Sequence, residues 1–352
     1  MRDFRVGITR DFLNDRGELG FGDIDIGLGL LDAAGLEREF LAEDTGELRP
    51  DQVAGYDALL VMGPRITRAT LAGADRLTVL ARFGVGYDSV DVTACTEQGV
   101  AVTITPEGVR RPVAVAALAL VLALAHRLPD KDRLVREHRW GDRLDFMGVG
   151  LTGRTLGVIG FGNIGRELCR LARPLDVRLL AADPFGSPAA AAELGVELVE
   201  LESLLSTADF VCVCCALTPE TRHLLNAERL ALLKETAFLV NVARGPIVDQ
   251  KALTQVLRER RIQGAGLDVF EQEPPALDEP LVGLDNVLLG PHALAWTDEC
   301  FTGNGRGACQ SIVDISGGVV PPYVVNTDVL SSPAFRSALE RYAASVAGGV
   351  ER

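Results

Sequence analysis

The stretch Leu156–Leu168 reads LGVIGFGNIGREL. An apolar, β-prone start runs into Gly160-Phe161-Gly162-Asn163-Ile164-Gly165 and then into helical spacing, which predicts strand, tight turn, helix. A helix that begins on such a turn offers free N–H groups and a positive dipole end, a natural seat for a pyrophosphate. Gly160 permits the turn, Gly162 lets the backbone approach the phosphates, and Gly165 lets the new helix lie against the strand. Leu179 to Ala182 reads as the next strand and ends at Asp183, 18 residues beyond the last glycine (183 − 165). An acid at that place accepts hydrogen bonds from the adenosine ribose. Pro184 and Phe185 bring no positive charge for a 2′-phosphate, so the expected cofactor is NAD rather than NADP.

Outward from this motif, short apolar runs alternate with helical patterns. Before it stand Phe4–Ile8, Gly27–Ala34, Ala58–Met62, Leu77–Phe83 and Val100–Ile104, all read as strand-like. After it come strands at Val196–Leu198, Phe210–Ala216, Phe238–Val242, Gly264–Val269 and Val287–Leu289, with helices between them. Such alternation indicates parallel sheets covered by helices on both faces. Lys131–Gly153 is polar and glycine-bearing and is expected to run over the surface as a connector. From about Thr297 to Ile315 the pattern is helical, and the segment from Ser331 reads as a short polar tail with weak helical character.

At 352 residues the chain exceeds one usual core, so two domains are expected. Thirty-five basic residues against 49 acidic ones leave a net charge of −14, which repels nucleic acid and anionic membranes; neither is an expected partner. Cys212, Cys214 and Cys215 form no CxxC pair and have no histidine at ligand spacing, so no metal is expected. They read as reduced thiols of a reducing compartment, hence a cytoplasmic protein. Met1–Arg10 already reads as charged residues around a short strand, so no signal peptide is expected. Val113–Ala125 is apolar for only 13 residues, short of the roughly 20 that cross a bilayer. It is expected to be a long helix buried against a sheet and a second subunit.

A nicotinamide cofactor implies hydride transfer, which at a carbinol needs an acid/base, a cation to orient the substrate, and a group that tunes the acid/base. Of four histidines, His126, His138 and His223 read as structural or solvated, whereas His292 follows Pro291 at the end of the last strand. Arg244 stands at a strand end before Gly245, with a guanidinium able to grip a carboxylate through two bonds. Asp268, Glu271 and Glu273 follow the next strand, and any of them could partner the imidazole. The loops Gly63–Thr67 and Gly84–Asp88 also sit at strand ends, and the second can present adjacent N–H groups to an anion.

Taken together, Arg82-Phe-Gly-Val-Gly-Tyr-Asp-Ser-Val-Asp91, Leu156–Gly165, Leu217–Arg222, Asn241–Gly245, Asp268–Pro274 and Pro291-His292 resemble the D-isomer-specific 2-hydroxyacid dehydrogenase family, in the family's order and over nearly the whole chain to Asn326. The resemblance implies an α/β chain of two Rossmann-like domains, with a doubly wound NAD-binding domain (107–295) inserted into a flavodoxin-like substrate domain (1–106 with 296–330) and a tail at 331–352. It implies an NAD-dependent oxidoreductase interconverting a D-2-hydroxy acid and its 2-keto acid, built as a homodimer. The alternative on the same fold is a non-catalytic, NAD-sensing, corepressor-like protein. By resemblance His292 is the general acid/base, Glu273 its partner and Arg244 the carboxylate arginine. Val85 and Gly86 also hold the substrate, with Arg65 and Trp296 as further substrate-side residues. Asn163 and Ile164 touch the pyrophosphate, Asp183 the ribose, and Ala216, Thr218, Pro219, Ala243 and Asp268 line the cofactor. After His292 the family's small residues give way to Ala-Leu-Ala-Trp296, a departure that bears on substrate choice.

Overall fold

The computed structural model describes residues 4–349 and divides into two compact units, the first formed by the residues up to Val109 with those from Thr297 on, the second by Arg110–Trp296. The first passage between them falls at Val109 rather than at the expected 106, and Trp296 is counted with the second unit rather than with the returning segment.

Five parallel strands make the sheet of the first unit: β1 (Arg5–Ile8), β2 (Glu37–Phe40), β3 (Ala58–Val61), β4 (Val79–Arg82) and β5 (Ala101–Thr103), in the order β2-β1-β3-β4-β5. The central strands β3 and β4 are wholly buried, as their continuous apolar runs require. The order reverses between β1 and β3, so their carboxyl ends flank the place where ligands of such sheets collect.

Two expectations for this unit are corrected. Gly27–Ala34 is not a strand; Leu28–Ala33 is a helix whose Leu31 is fully buried, and the strand is the next segment, β2. Sequence Glu-Arg-Glu-Phe hides β2 because it is an edge strand with exposed and half-exposed positions alternating. The tail is likewise ordered: Pro333–Gly349 is a helix that buries Phe335 and Ala338, and the Tyr342 hydroxyl donates to Asp57 at 3.0 Å. Residues 350–352 of that expected tail lie outside the described residues.

The second unit holds seven parallel strands: β6 (Thr155–Ile159), β7 (Arg178–Ala182), β8 (Val196–Leu198), β9 (Phe210–Val213), β10 (Phe238–Asn241), β11 (Gly264–Leu267) and β12 (Val287–Leu289). Their order is β12-β11-β10-β9-β6-β7-β8, a doubly wound sheet whose switch point lies between β6 and β9. The helix Pro106–His126 is long and apolar enough to cross a membrane by length and composition, with 56% of its apolar window buried. Leu120 and Leu124 pack on β11, where a Cβ on Gly266 would lie 3.1 Å from Leu120. Its neighbour corrects a third expectation: the segment taken as a connector carries the helix Leu128–Arg136 and a 3₁₀ turn at Trp140–Phe146. Arg127, left-handed at φ 52°, breaks the long helix, and Pro129 sits in the first turn of the next, where its missing N–H costs nothing.

Candidate active site

The glycines of the opening motif have different reasons to be glycine. Gly160 is left-handed at φ 93°, and a Cβ there would lie 2.6 Å from the Cys215 backbone. A Cβ on Gly165 would lie 2.1 Å from the Gly160 carbonyl oxygen, so the helix Asn163–Ala172 can rest on β6 only through glycine. At Gly162 a Cβ would meet nothing within 4 Å. The chain's own packing therefore asks nothing of this residue, and the open space over the helix N-terminus fits a close-approaching phosphate. Asp183 ends β7 and closes the same turn: its Oδ2 accepts the Phe161 N–H at 2.7 Å and its Oδ1 the Phe185 N–H at 2.8 Å. Each oxygen keeps a lone pair for a ribose hydroxyl. Arg166, which sequence reasoning passed over, reaches back over the first turn to the Gly162 carbonyl at 3.2 Å and the Asn163 side chain at 3.2 Å.

Ala216, Thr218 and Pro219 lie in the loop after β9, the other strand of the switch point, where the Thr221 hydroxyl donates to the Ala216 carbonyl at 2.7 Å. At the end of β10 the buried Asn241 staples the next turn, its Nδ2 donating to the Arg244 carbonyl at 3.0 Å and its Oδ1 accepting from the Ala243 N–H at 3.0 Å. Arg244 donates from Nη1 to the Ala243 carbonyl at 2.8 Å. A Cβ on Gly245 would stand 1.9 Å from the Phe270 carbonyl carbon and oxygen, so this turn and the acidic loop after β11 are locked together at van der Waals distance.

Of the three acids left open by the sequence, the structure separates the roles. Glu273 Oε2 lies 2.7 Å from His292 Nδ1, and its Oε1 accepts the Phe270 N–H at 3.0 Å. Burial alone would push the Glu273 carboxyl up; the imidazole, the Phe270 N–H and the charge of Arg244 outweigh it and hold the group below its ordinary value. Asp268 does something else. Its Oδ1 accepts the Ala293 N–H at 3.0 Å and its Oδ2 the Leu294 N–H at 3.1 Å, so it holds the backbone after His292. His292 itself is left-handed at φ 56°, a conformation that a non-glycine residue keeps only when neighbours impose it. Burial pushes the Asp268 carboxyl up, against those two amides and the imidazole. Glu271 pairs with His223, the histidine that sequence reading left as structural or solvated. The signal was weak because Thr218–Leu224 carries no periodicity that points its histidine anywhere.

Trp296 is 60% exposed and closes the turn by donating its N–H to the Ala293 carbonyl at 2.9 Å. Val85, Gly86 and Arg65 belong to the first unit, on the loops after β4 and β3. All seven cysteines are free thiols, and burial pushes Cys215, beside the glycine turn, up to about 11. Among the described residues no cluster of three His, Cys, Asp or Glu could hold a metal ion.

Residues 118–293 match the family model described as D-isomer specific 2-hydroxyacid dehydrogenase, NAD binding domain. A glyoxylate reductase of Thermococcus onnurineus is 40% identical over 296 residues, covering 82% of this chain and 88% of that one. A D-3-phosphoglycerate dehydrogenase of Methanocaldococcus jannaschii is 38% identical over 296 residues, covering 84% of this chain and 55% of that protein. Among solved structures, the apo D-lactate dehydrogenase of Escherichia coli superposes with a TM-score of 0.77 at 27% identity, covering 92% of this chain and all of that one (100%). The D-lactate dehydrogenase of Aquifex aeolicus complexed with NAD and lactic acid gives 0.78 at 25% identity, covering 89% and 96%. These likenesses place the chain in the family of NAD-dependent, D-isomer-specific 2-hydroxyacid dehydrogenases.

Proposed function

We propose that the protein reduces a small 2-keto acid to its D-2-hydroxy acid, and runs the reverse oxidation, with His292 as the general acid/base. The observation that carries this reading is the 2.7 Å contact between Glu273 and His292, on a left-handed turn pinned by Asp268. With Nδ1 committed to Glu273, the ring nitrogen left to serve the substrate is Nε2. NADH held at the Gly160–Gly165 turn would supply the hydride for the carbonyl carbon. As it arrives, imidazolium Nε2–H gives its proton to the carbonyl oxygen, and the Glu273 carboxylate stabilises the charged ring until then. Arg244 grips the substrate carboxylate, Val85 and Gly86 offer it backbone N–H groups, and Ala243, Thr218 and Pro219 line the cofactor. In oxidation the neutral imidazole takes the hydroxyl proton.

The names of the glyoxylate reductase relatives support a small acid as substrate. Exposed Leu294 and Trp296, two and four residues beyond the imidazole, favour an apolar wall over a second charged contact. Exposed apolar side chains on one stretch of the second unit, among them Leu128, Val135, Trp140, Leu144 and Met147, support a homodimer. Seven free thiols support a cytoplasmic location. The corepressor-like alternative draws no support from the named relatives, which are enzymes.

A panel of 2-keto acids with NADH and NADPH, followed at the nicotinamide absorbance, tests the reading. NADH-dependent turnover is expected, and His292→Ala should lower it by about a hundredfold or more. An inert panel, or near-normal turnover in that variant, would overturn it.

A further inference from the structure

In the first unit the carboxyl ends of β1, β3 and β4 hold a network that the catalytic reading leaves unused. Arg82 is the last residue of β4 and only 8% exposed, a charged side chain inside a sheet whose neighbours are apolar. Strand register sets it beside Val61. From there its Nε donates to the Gly86 carbonyl at 3.0 Å and its Nη1 to the Met62 carbonyl. One guanidinium thus bridges the two loops that follow β3 and β4.

Each loop is clamped a second time. Across the Met62–Gly63 peptide the carbonyl goes to Arg82 and the N–H goes to Asp11 Oδ2 at 2.6 Å. Asp11 is held in turn by the Thr9 hydroxyl at 2.5 Å, and Thr9 Oγ1 accepts the Met62 N–H at 3.3 Å. Burial pushes the Asp11 carboxyl up, with Thr9, Gly63 and Arg82 opposing and Asp44 adding to it. On the other loop the Gly84 N–H donates to Thr105 Oγ1 at 2.8 Å, and the Gly84 carbonyl accepts the Thr105 N–H at 2.9 Å. Pulling the Gly86 carbonyl inward turns the Tyr87 N–H of the same peptide plane the other way. Among the described residues the amides of Val85, Gly86 and Tyr87 meet no acceptor, so three successive donors are left for an anion, with a fixed positive charge behind them.

We infer that Arg82 is the positioning residue of the substrate carboxylate: it shapes the Val85–Tyr87 loop from behind by fixing the Gly86 and Met62 carbonyls, without itself touching the substrate. The inference deepens the proposed function and rests on it. Two donors fixed in one planar guanidinium and spanning two carbonyls are a task for arginine; a lysine ammonium, a point charge on a flexible stem, does not hold both carbonyls in that fixed geometry.

The test uses the full chain. Arg82→Gln and Arg82→Lys are compared with the natural protein for KM and kcat on the best 2-keto acid, for inhibition by oxalate as a bare carboxylate probe, and for NADH binding by fluorescence. Both KM and the oxalate inhibition constant should rise together by about tenfold or more, the scale of one lost charge-assisted hydrogen bond, with kcat within about threefold and NADH affinity unchanged. The lysine variant should keep part of the effect and serves where glutamine prevents folding. Variants that melt earlier yet keep KM and oxalate inhibition would overturn the inference and leave the proposed function standing. Failure of the natural protein to reduce any 2-keto acid or to bind oxalate would overturn both.

Discussion

Replacing Glu273 by Gln keeps the size and the acceptor of the side chain while removing its charge. Raw Coulomb attraction at 2.7 Å with an effective dielectric near 20 is about 6 kcal/mol. Both side chains are more than a third open to solvent, 43% for His292 and 37% for Glu273, so most of that is screened. A charge-assisted bond in this setting is worth about 2 kcal/mol, a factor of about thirty in rate if all of it stabilises the protonated ring at the moment of proton donation. Keto-acid reduction consumes imidazolium and oxidation consumes the neutral ring, so losing the carboxylate charge should cost the reduction more than the oxidation. The Glu273 carboxyl is held below its ordinary 4.5, so its contribution to stability is present above that value and is lost as pH falls through the lower folded one. Steady-state kcat/KM against pH in both directions, with NADH affinity measured alongside, is the assay. A Glu273→Gln enzyme within threefold of the natural one across the whole pH range would refute the reasoning.

Two further outcomes are expected. Asp183→Ala should weaken NADH binding by about tenfold through lost ribose hydrogen bonds and a loosened Phe161 amide, read by fluorescence titration; unchanged affinity would remove Asp183 from the cofactor site. Gly245→Ala forces a methyl to within 1.9 Å of the Phe270 carbonyl, so roughly 3 kcal/mol of stability and most of kcat/KM should go, as seen in a thermal melt and an initial-rate assay; normal values for both would mean that the two loops are not locked.

What could be read from the residues alone divides along physical lines. Buried central strands announce themselves because both faces are apolar, which is why strands open at Ala58, Phe210 and Phe238 as expected. The edge strand β2 does not, since half of its positions face water and its sequence is charged. The helix Leu128–Arg136 escaped because it follows a left-handed break and a proline and buries only Leu134, so its periodicity is faint against Asp, Lys and Arg. At the site, residue types in order along the chain were enough to single out His292 and Arg244. The choice among Asp268, Glu271 and Glu273 was not legible without resemblance, because it depends on which carboxylate reaches the ring and which reaches backbone amides. The buried role of Arg82 was equally hidden: an arginine at the end of an apolar strand gives no sign in the sequence of which carbonyls it reaches.

Because Arg110–Trp296 is contiguous and the first unit is not, the order of synthesis matters. The helix Asp298–Ser316 lies against β3, β4 and the helix Leu28–Ala33, Val324 bridges to Thr103 of β5, and Asn326 Oδ1 receives the Val102 N–H at 2.9 Å. None of these covering pieces exists until the entire insert has left the ribosome. The nascent first sheet must wait with an apolar flank bare while the NAD-binding part, complete in itself, folds ahead of it. Chains released early by a stalled ribosome would therefore hold a finished second unit beside an unfinished and sticky first one.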